Sequence, residues 1–166
     1  MVTDKDWTDI LLDRLAATRS RKEIEAYQVT ARISRAALYI ARHQDEAFGR
    51  FGLNRGEVGV LGALLLAGSS QRLSPTQLFK GLMLSSAGIT SRLDRLERRG
   101  YVKRTPHPSD RRGVLVELTA AGRKVLEQAV AADAAGEQGL LASLAKDDKR
   151  AMAALLKKLL AGLEAT

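Results

Sequence analysis

A chain of 166 residues, 45% apolar and 28% charged, has the size and composition of one globular domain and is neither disordered nor fibrous. It has no cysteine and only two histidines, His43 and His107, which excludes disulfides, thiol redox chemistry and nearly all structural zinc or histidine-rich metal sites. The formal charge of +8 suits a polyanionic partner; the acidic start "MVTDKDWTDI" and the lack of an apolar run near ~20 residues lead us to expect a cytoplasmic chain.

In chain order, residues 5–17 form a short helix with Trp7, Ile10, Leu11 and Leu15 near one face. "TRSRKE" (18–23) is a polar break. A long helix then runs to about Arg50, its stripe of Ile33, Ala37, Ile40 and Phe48 interrupted only by Gln44. Asn54 caps the next helix with Glu57 three residues on, and Gly68 closes it. Ser74, Pro75 and Gln77 open a short helix that ends near Gly81. Ser85 caps another, which runs to Arg99 and stops at Gly100. Two helices joined by a short glycine-containing turn make a helix-turn-helix.

On the second of these, Ile89, Leu93 and Leu96 share the inner face, while Ala87, Ser91, Arg95 and Arg98 lie opposite. A face of small residues and arginines fits a major groove ~12 Å wide. "YVKRT" and "GVLVELT" then pair as a β-hairpin across "PHPSDRRG". Thr119 caps a long helix over about 120–143. A last helix carries Met152, Leu155, Leu156, Leu159, Leu160 and Leu163 in one stripe, with Asp147 and Asp148 in its first turn. The fold class is therefore mainly α with a small β-hairpin, a winged helix-turn-helix flanked by N- and C-terminal dimerisation helices.

The charge is not spread evenly. Residues 92–112 hold eight basic and three acidic side chains, net +5 of the total +8, and they coincide with the second helix and the hairpin. That is the footprint of a nucleic-acid contact. No Gly-rich phosphate loop, metal-spaced cluster or nucleophile–histidine–acid set is present, so neither an enzyme nor a cofactor is expected.

"LSSAGITSRLDRLERRGYVKRTPHPSDRRGVLVELTAAGRK" closely resembles the signature of the MarR family of bacterial transcription regulators. The matching elements are Ser85–Ser86, Leu93 to Gly100, Asp110 to Arg112, and Leu118 to Gly122. The resemblance implies a homodimer straddling pseudo-palindromic double-stranded DNA. Residues 1–50 and 120–166 would be its dimerisation helices and 52–119 its winged lobe, within one domain. It implies a repressor, released when a small aromatic or phenolic effector enters a cleft between the lobe and the dimerisation helices.

The expected DNA contacts are Ser85, Ser86, Thr90, Ser91, Arg92, Arg95 and Arg98 from the recognition helix 85–99 in the major groove. His107, Arg111 and Arg112 would add contacts from the wing 105–113 in the minor groove. Arg95 is the leading candidate for reading a base, and Asp110 is expected to brace a wing arginine. The extra N-terminal helix with its tryptophan resembles the urate-responsive subgroup, which pairs that tryptophan with an aspartate and an arginine. Those positions fall near Gly59 and near Leu65 or Leu66. Trp7 is kept, Arg92 is a fourth element, and Gln44 lies in the same apolar stripe as a candidate contact. The loss of the charged pair argues for a more apolar ligand than urate, or none. Dimer packing is the favoured role for Trp7. The competing function is a non-specific basic nucleoid protein, which would share the footprint but not the sequence preference. A membrane-surface role lacks the bulky apolar face it needs.

Overall fold

The computed structural model describes residues 5–68, 70–82, 86–110 and 113–165, and of residues 86 and 87 the backbone alone. Two compact units emerge, Met1–His43 and Gln44–Thr166.

In the first unit, α1 (Trp7–Leu15) is opened by a capping box. The Asp6 carboxylate accepts the Asp9 N–H at 2.9 Å, and the Asp9 carboxylate accepts the Asp6 N–H at 2.9 Å. The inner face also differs from expectation. Thr8 and Leu12 are buried and Leu11 and Leu15 half-buried, whereas Trp7 and Ile10 are exposed. Positions 8, 11, 12 and 15 are the i, i+3, i+4, i+7 set, and Thr8 belongs to it by spacing though not by polarity.

Helix α2 (Arg21–Gly49) begins inside the expected break, because "SRKE" is itself a capping box. The Ser20 hydroxyl accepts from the Glu23 N–H at 3.3 Å and the Glu23 carboxylate accepts from the Ser20 N–H at 2.9 Å. Arg32 ties the two helices together through Asp6 (2.9 Å) and Asp9 (2.5 Å), and the Arg35 guanidinium lies 4.8 Å above the Trp7 ring. Of the α2 stripe, Ile33 and Gln44 are half-buried and Ala37 and Ile40 are exposed. Only Ala47 and Phe48, in the second unit, reach the core.

The second unit is built on α3 (Arg55–Leu65), α4 (Pro75–Gly81), α5 (Ser86–Arg98) and α6 (Ala120–Leu140) around a small sheet. Val60, Leu61 and Leu64 of α3, Leu78 of α4, Ile89, Leu93 and Leu96 of α5 and Leu126 and Ala129 of α6 form its core. The expected caps at Asn54 and Ser74 are present, and both are capping boxes, with Glu57 and Gln77 as the returning side chains. Gly68 does not close α3. That helix ends with Leu66 as its C-cap, and Gly68 takes a left-handed φ of +74° only after a further turn.

The hairpin strands are β2 (Val102–Pro106) and β3 (Val114–Leu118). A third strand, β1 (Arg72–Leu73), pairs antiparallel with β3 and makes the order β1-β3-β2. At two residues it is too short to leave a period in the sequence. Helix α7 (Lys146–Glu164) buries none of its residues: Met152, Leu155, Leu156, Leu159, Leu160 and Leu163 are all exposed on this chain.

Candidate nucleic-acid interface

Helix α5 presents its outer strip because its inner one is fixed. Ile89, Leu93 and Leu96 are at most 2% exposed, which leaves Thr90, Ser91, Asp94 and Arg98 facing outward. The helix exits through a six-to-one turn: the Tyr101 N–H reaches the Leu96 carbonyl at 2.9 Å and the Gly100 N–H the Glu97 carbonyl at 2.8 Å. Gly100 at φ +71° makes that exit possible.

The arginines of the basic stretch are mostly committed within the protein. Arg95 leaves the outer strip and reaches back to α3, where its Nε donates to Glu57 Oε1 at 2.8 Å. Glu57 has only 4% of its side chain exposed against 40% for Arg95. The other oxygen of Glu57 accepts the Asn54 N–H at 3.1 Å, so one buried carboxylate both caps α3 and holds α5. Arg95 Nη1 donates in turn to Ser91 Oγ at 2.9 Å.

Arg99 donates to the carbonyls of Phe51 (2.9 Å) and Gly52, which close the end of α2, and lies 4.7 Å over the Tyr101 ring. Arg104 bridges Asp94 (2.6 Å) and Glu97. Burial disfavours its charge, but the hydrogen bonds to both carboxylates outweigh that and hold the guanidinium above its ordinary value. Lys103 pairs with Glu117 at 3.1 Å, and Arg72 does so from the other side at 2.8 Å.

Arg92 is half-buried and lies across the first turn of α3. A Cβ on Gly56 would stand 2.2 Å from its Nε. Arg98 stays exposed, its Nε 3.3 Å from the Asp94 carbonyl. A charge count over residues 92–112 misses the pairing of Arg95 and Lys103, because their partners Glu57 and Glu117 lie outside that stretch. The signal for Glu57 was its capping-box position, read as helix start alone.

In the wing, the His107 N–H reaches the Gly113 carbonyl at 2.9 Å and the Gly113 N–H the Asp110 carbonyl at 2.9 Å. His107 Nδ1 accepts from the Ser109 N–H at 3.3 Å, so that side of the ring staples the loop. The Asp110 carboxylate closes over Gly113. Arg111, Arg112 and Ser85 lie outside the described residues, as does the side chain of Ser86.

Of the expected effector contacts, Trp7 is exposed beneath Arg35, Gln44 is half-buried on α2, and Gly59 faces Leu82, 3.6 Å from a notional Cβ. Arg92 belongs to the α3–α5 contact. A groove of about 460 Å³ runs between α3 and α6, walled by Val58, Gly62, Leu65, Leu66, Leu126 and Val130. Among the described residues, no group of three or more His, Asp or Glu is placed to hold a metal ion, and no helix is long and apolar enough to cross a membrane.

Residues 51–113 match the sequence profile of the MarR family. The chain is 33% identical over 134 residues to the HTH-type transcriptional regulator PecS of Dickeya dadantii, covering 81% of each protein. It is 40% identical over 91 residues to the multiple antibiotic resistance protein MarR of Escherichia coli, covering 53% of this chain and 62% of that one. Similar solved structures include a mutant of E. coli MarR complexed with operator DNA (TM-score 0.72, 30% identity, 82% of this chain and 96% of that one). Another is Sco3205 of Streptomyces coelicolor, a MarR family transcriptional regulator in complex with DNA (TM-score 0.73, 25% identity, 84% and 88%).

Proposed function

The chain belongs to the MarR family of DNA-binding transcription regulators, and from that premise we propose that it is a homodimeric repressor of a pseudo-palindromic operator, released by a small apolar effector. The observation that carries sequence-specific binding is the outer strip of α5. Thr90 and Ser91 are exposed beside Arg98 on a helix whose inner face is locked in the core. Small polar side chains let a helix approach base edges, where hydrogen bonds discriminate sequence. Recognition helix 85–99 would lie in the major groove and wing 105–113 in the minor groove. The two lobes of a dimer would then meet half-sites about one helical turn, ~34 Å, apart.

The internal pairing of Arg95, Lys103 and Arg104 favours this reading over a non-specific architectural protein. Such a protein gains affinity by releasing counterions with uncommitted cations, and here those cations are already matched to carboxylates.

The apolar groove between α3 and α6 supports an effector without a strong anionic group, because its wall at Leu65 and Leu66, near one of which the resemblance puts the urate-responsive subgroup's arginine, carries no charge. Dimerisation through residues 1–50 and 120–166 accounts for the apolar stripe of α7, which this chain alone leaves in water.

Fluorescence anisotropy against the DNA upstream of the protein's own gene and against a scrambled duplex, across a salt series, tests the reading. A preference of about 10³-fold or more, saturating at two chains per site, is expected. Equal affinity for the two duplexes, with a salt slope that does not distinguish them, would replace it with non-specific binding.

A further inference from the structure

We propose that Glu57, Arg95 and Ser91 form a relay in which Ser91 reads an acceptor on a base edge while Arg95 and Glu57 position it. The inference rests on the sequence-specific DNA-binding reading above and assigns the reading role to a different side chain from the arginine the sequence favours.

The chain of bonds runs outward from the core. Glu57 is fixed first: it is 3% exposed, and Oε2 is already spent on the Asn54 N–H at the start of α3. Its second oxygen takes Arg95 Nε at 2.8 Å. That bond sets the plane of the guanidinium, and Nη1 then falls 2.9 Å from Ser91 Oγ, one turn earlier on α5. A guanidinium has donors and no acceptor, so Ser91 can only accept from it. The hydroxyl has one hydrogen, and with a cation donating to its oxygen that hydrogen is directed away from Arg95. Ser91 is exposed on the outer strip, next to Thr90 and opposite the buried Ile89 and Leu93.

A serine hydroxyl alone is an ambiguous reader, because it donates and accepts equally well and matches any base edge. With one of its two lone pairs taken by Arg95 and its hydrogen directed outward it is biased toward donating, and a donor in the major groove selects purine N7, guanine O6 or thymine O4 over the amino groups of adenine and cytosine. The cationic neighbour also polarises the O–H, and bonds with an ionised partner are the stronger class. Arg95 is prevented by Glu57 from roaming to a nearby phosphate, so its charge adds little to non-specific affinity.

The test uses the full-length protein and a duplex selected by it from a random library, with a scrambled duplex as control. Ser91→Ala should weaken binding to the selected duplex about tenfold and to the scrambled one less than twofold. Glu57→Gln keeps an oxygen for the Asn54 N–H but removes the charge that holds Arg95. It should weaken selected-duplex binding about fivefold and leave scrambled-duplex binding unchanged or tighter, as Arg95 becomes available to phosphates. Combining the two should cost no more than Ser91→Ala alone, since both break one relay. Arg95→Lys, which keeps a cation for Glu57 but not the two-pronged reach to Ser91, should match the Glu57→Gln loss on the selected duplex with scrambled-duplex binding unchanged, and serves if that variant does not fold.

Replacing purines of the selected duplex one at a time by their 7-deaza analogues, guanines by 2-aminopurine, which lacks O6, or the contacted thymine by an analogue lacking O4, should find one position per half-site. There the wild type loses affinity and Ser91→Ala loses nothing further. Equal losses on both duplexes for Ser91→Ala would mean a phosphate contact and overturn the proposal, as would additive losses for the double variant. If no duplex is enriched over scrambled DNA, the sequence-specific reading itself fails and the relay falls with it.

Discussion

A methyl group at position 122 would stand 2.0 Å from the Tyr101 carbonyl oxygen and 2.9 Å from its carbon, both backbone atoms that cannot swing aside. Gly122 is the third residue of α6, and its N–H donates to the Thr119 hydroxyl at 3.0 Å. That hydroxyl also faces the carbonyl of Gly100, 2.7 Å away. The "LTAAG" stretch is thus a joint between the exit of α5 and the start of α6, and glycine is required by the close approach. Gly122→Ala is expected to destabilise the protein by about 3 kcal/mol, at the upper end of overpacking costs. Denaturant unfolding monitored by circular dichroism measures it, and a loss under 1 kcal/mol would show that the joint can open. At the same scale, Arg95 shows what a helix wheel leaves out. Its angle on the helix wheel is outward of the core, yet a long side chain reaches ~6–7 Å and can turn to a buried carboxylate on another helix, which no periodicity encodes.

At the scale of elements, α5 is bolted at its exit to two helices. Arg99 donates to the last carbonyls after α2, and the Thr119 N–H takes the Tyr101 carbonyl at 3.1 Å ahead of α6. The exit of α5 is therefore held by the end of α2 and the start of α6 together. The wing is anchored separately. Glu117 stands opposite both Arg72 and Lys103 in the sheet register, and these two cations close on it from β1 and β2.

The hydrogen bond from Lys103 comes first, opposed by desolvation and aided by the charge of Arg72, and together they hold the Glu117 carboxyl below its ordinary value of 4.5. A carboxyl lowered by folding stabilises the native state above its unfolded value and loses that contribution as pH falls through the folded one. Wild type should therefore exceed Glu117→Gln in thermal midpoint at neutral pH, and the gap should close as pH drops below about 4.5. A gap that stays constant from pH 7 to 3 would assign the effect to packing.

Most of these elements were legible in advance, since Asn54, Ser74, Gly100 and Thr119 carry capping chemistry in their own types and spacing. The short strand β1, the capping boxes at Asp6 and Ser20 and the pairing of the arginines were not. The first lacks a period, the next two hide in charged runs that also suit a loop, and the last depends on contacts remote in sequence.

At the scale of the whole molecule, α7 is the helix that buries none of its own residues. A chain that ended its burial with α6 would expose six large apolar side chains on α7 to water, with Leu155 at 68% and Leu163 at 65%. Single exposed leucines are ordinary; a stripe over about three turns is not, and a second copy supplying the same stripe would cover it with matching geometry. Because both positions are exposed on one chain, the double substitution Leu155→Glu, Leu163→Glu should leave the lobe's own stability within about 0.5 kcal/mol. In a dimer it would place charged carboxylates in an apolar seam, at a cost of several kcal/mol across both copies. Light scattering should accordingly report two chains for the wild type and one for the variant, with helicity retained in circular dichroism. DNA binding is the sharper readout. A single lobe neutralises half the phosphates, so the salt slope on the selected duplex should fall to about half and the affinity by orders of magnitude. A variant that remained two chains per particle with an unchanged slope would move the interface off the α7 stripe and leave that stripe to another partner.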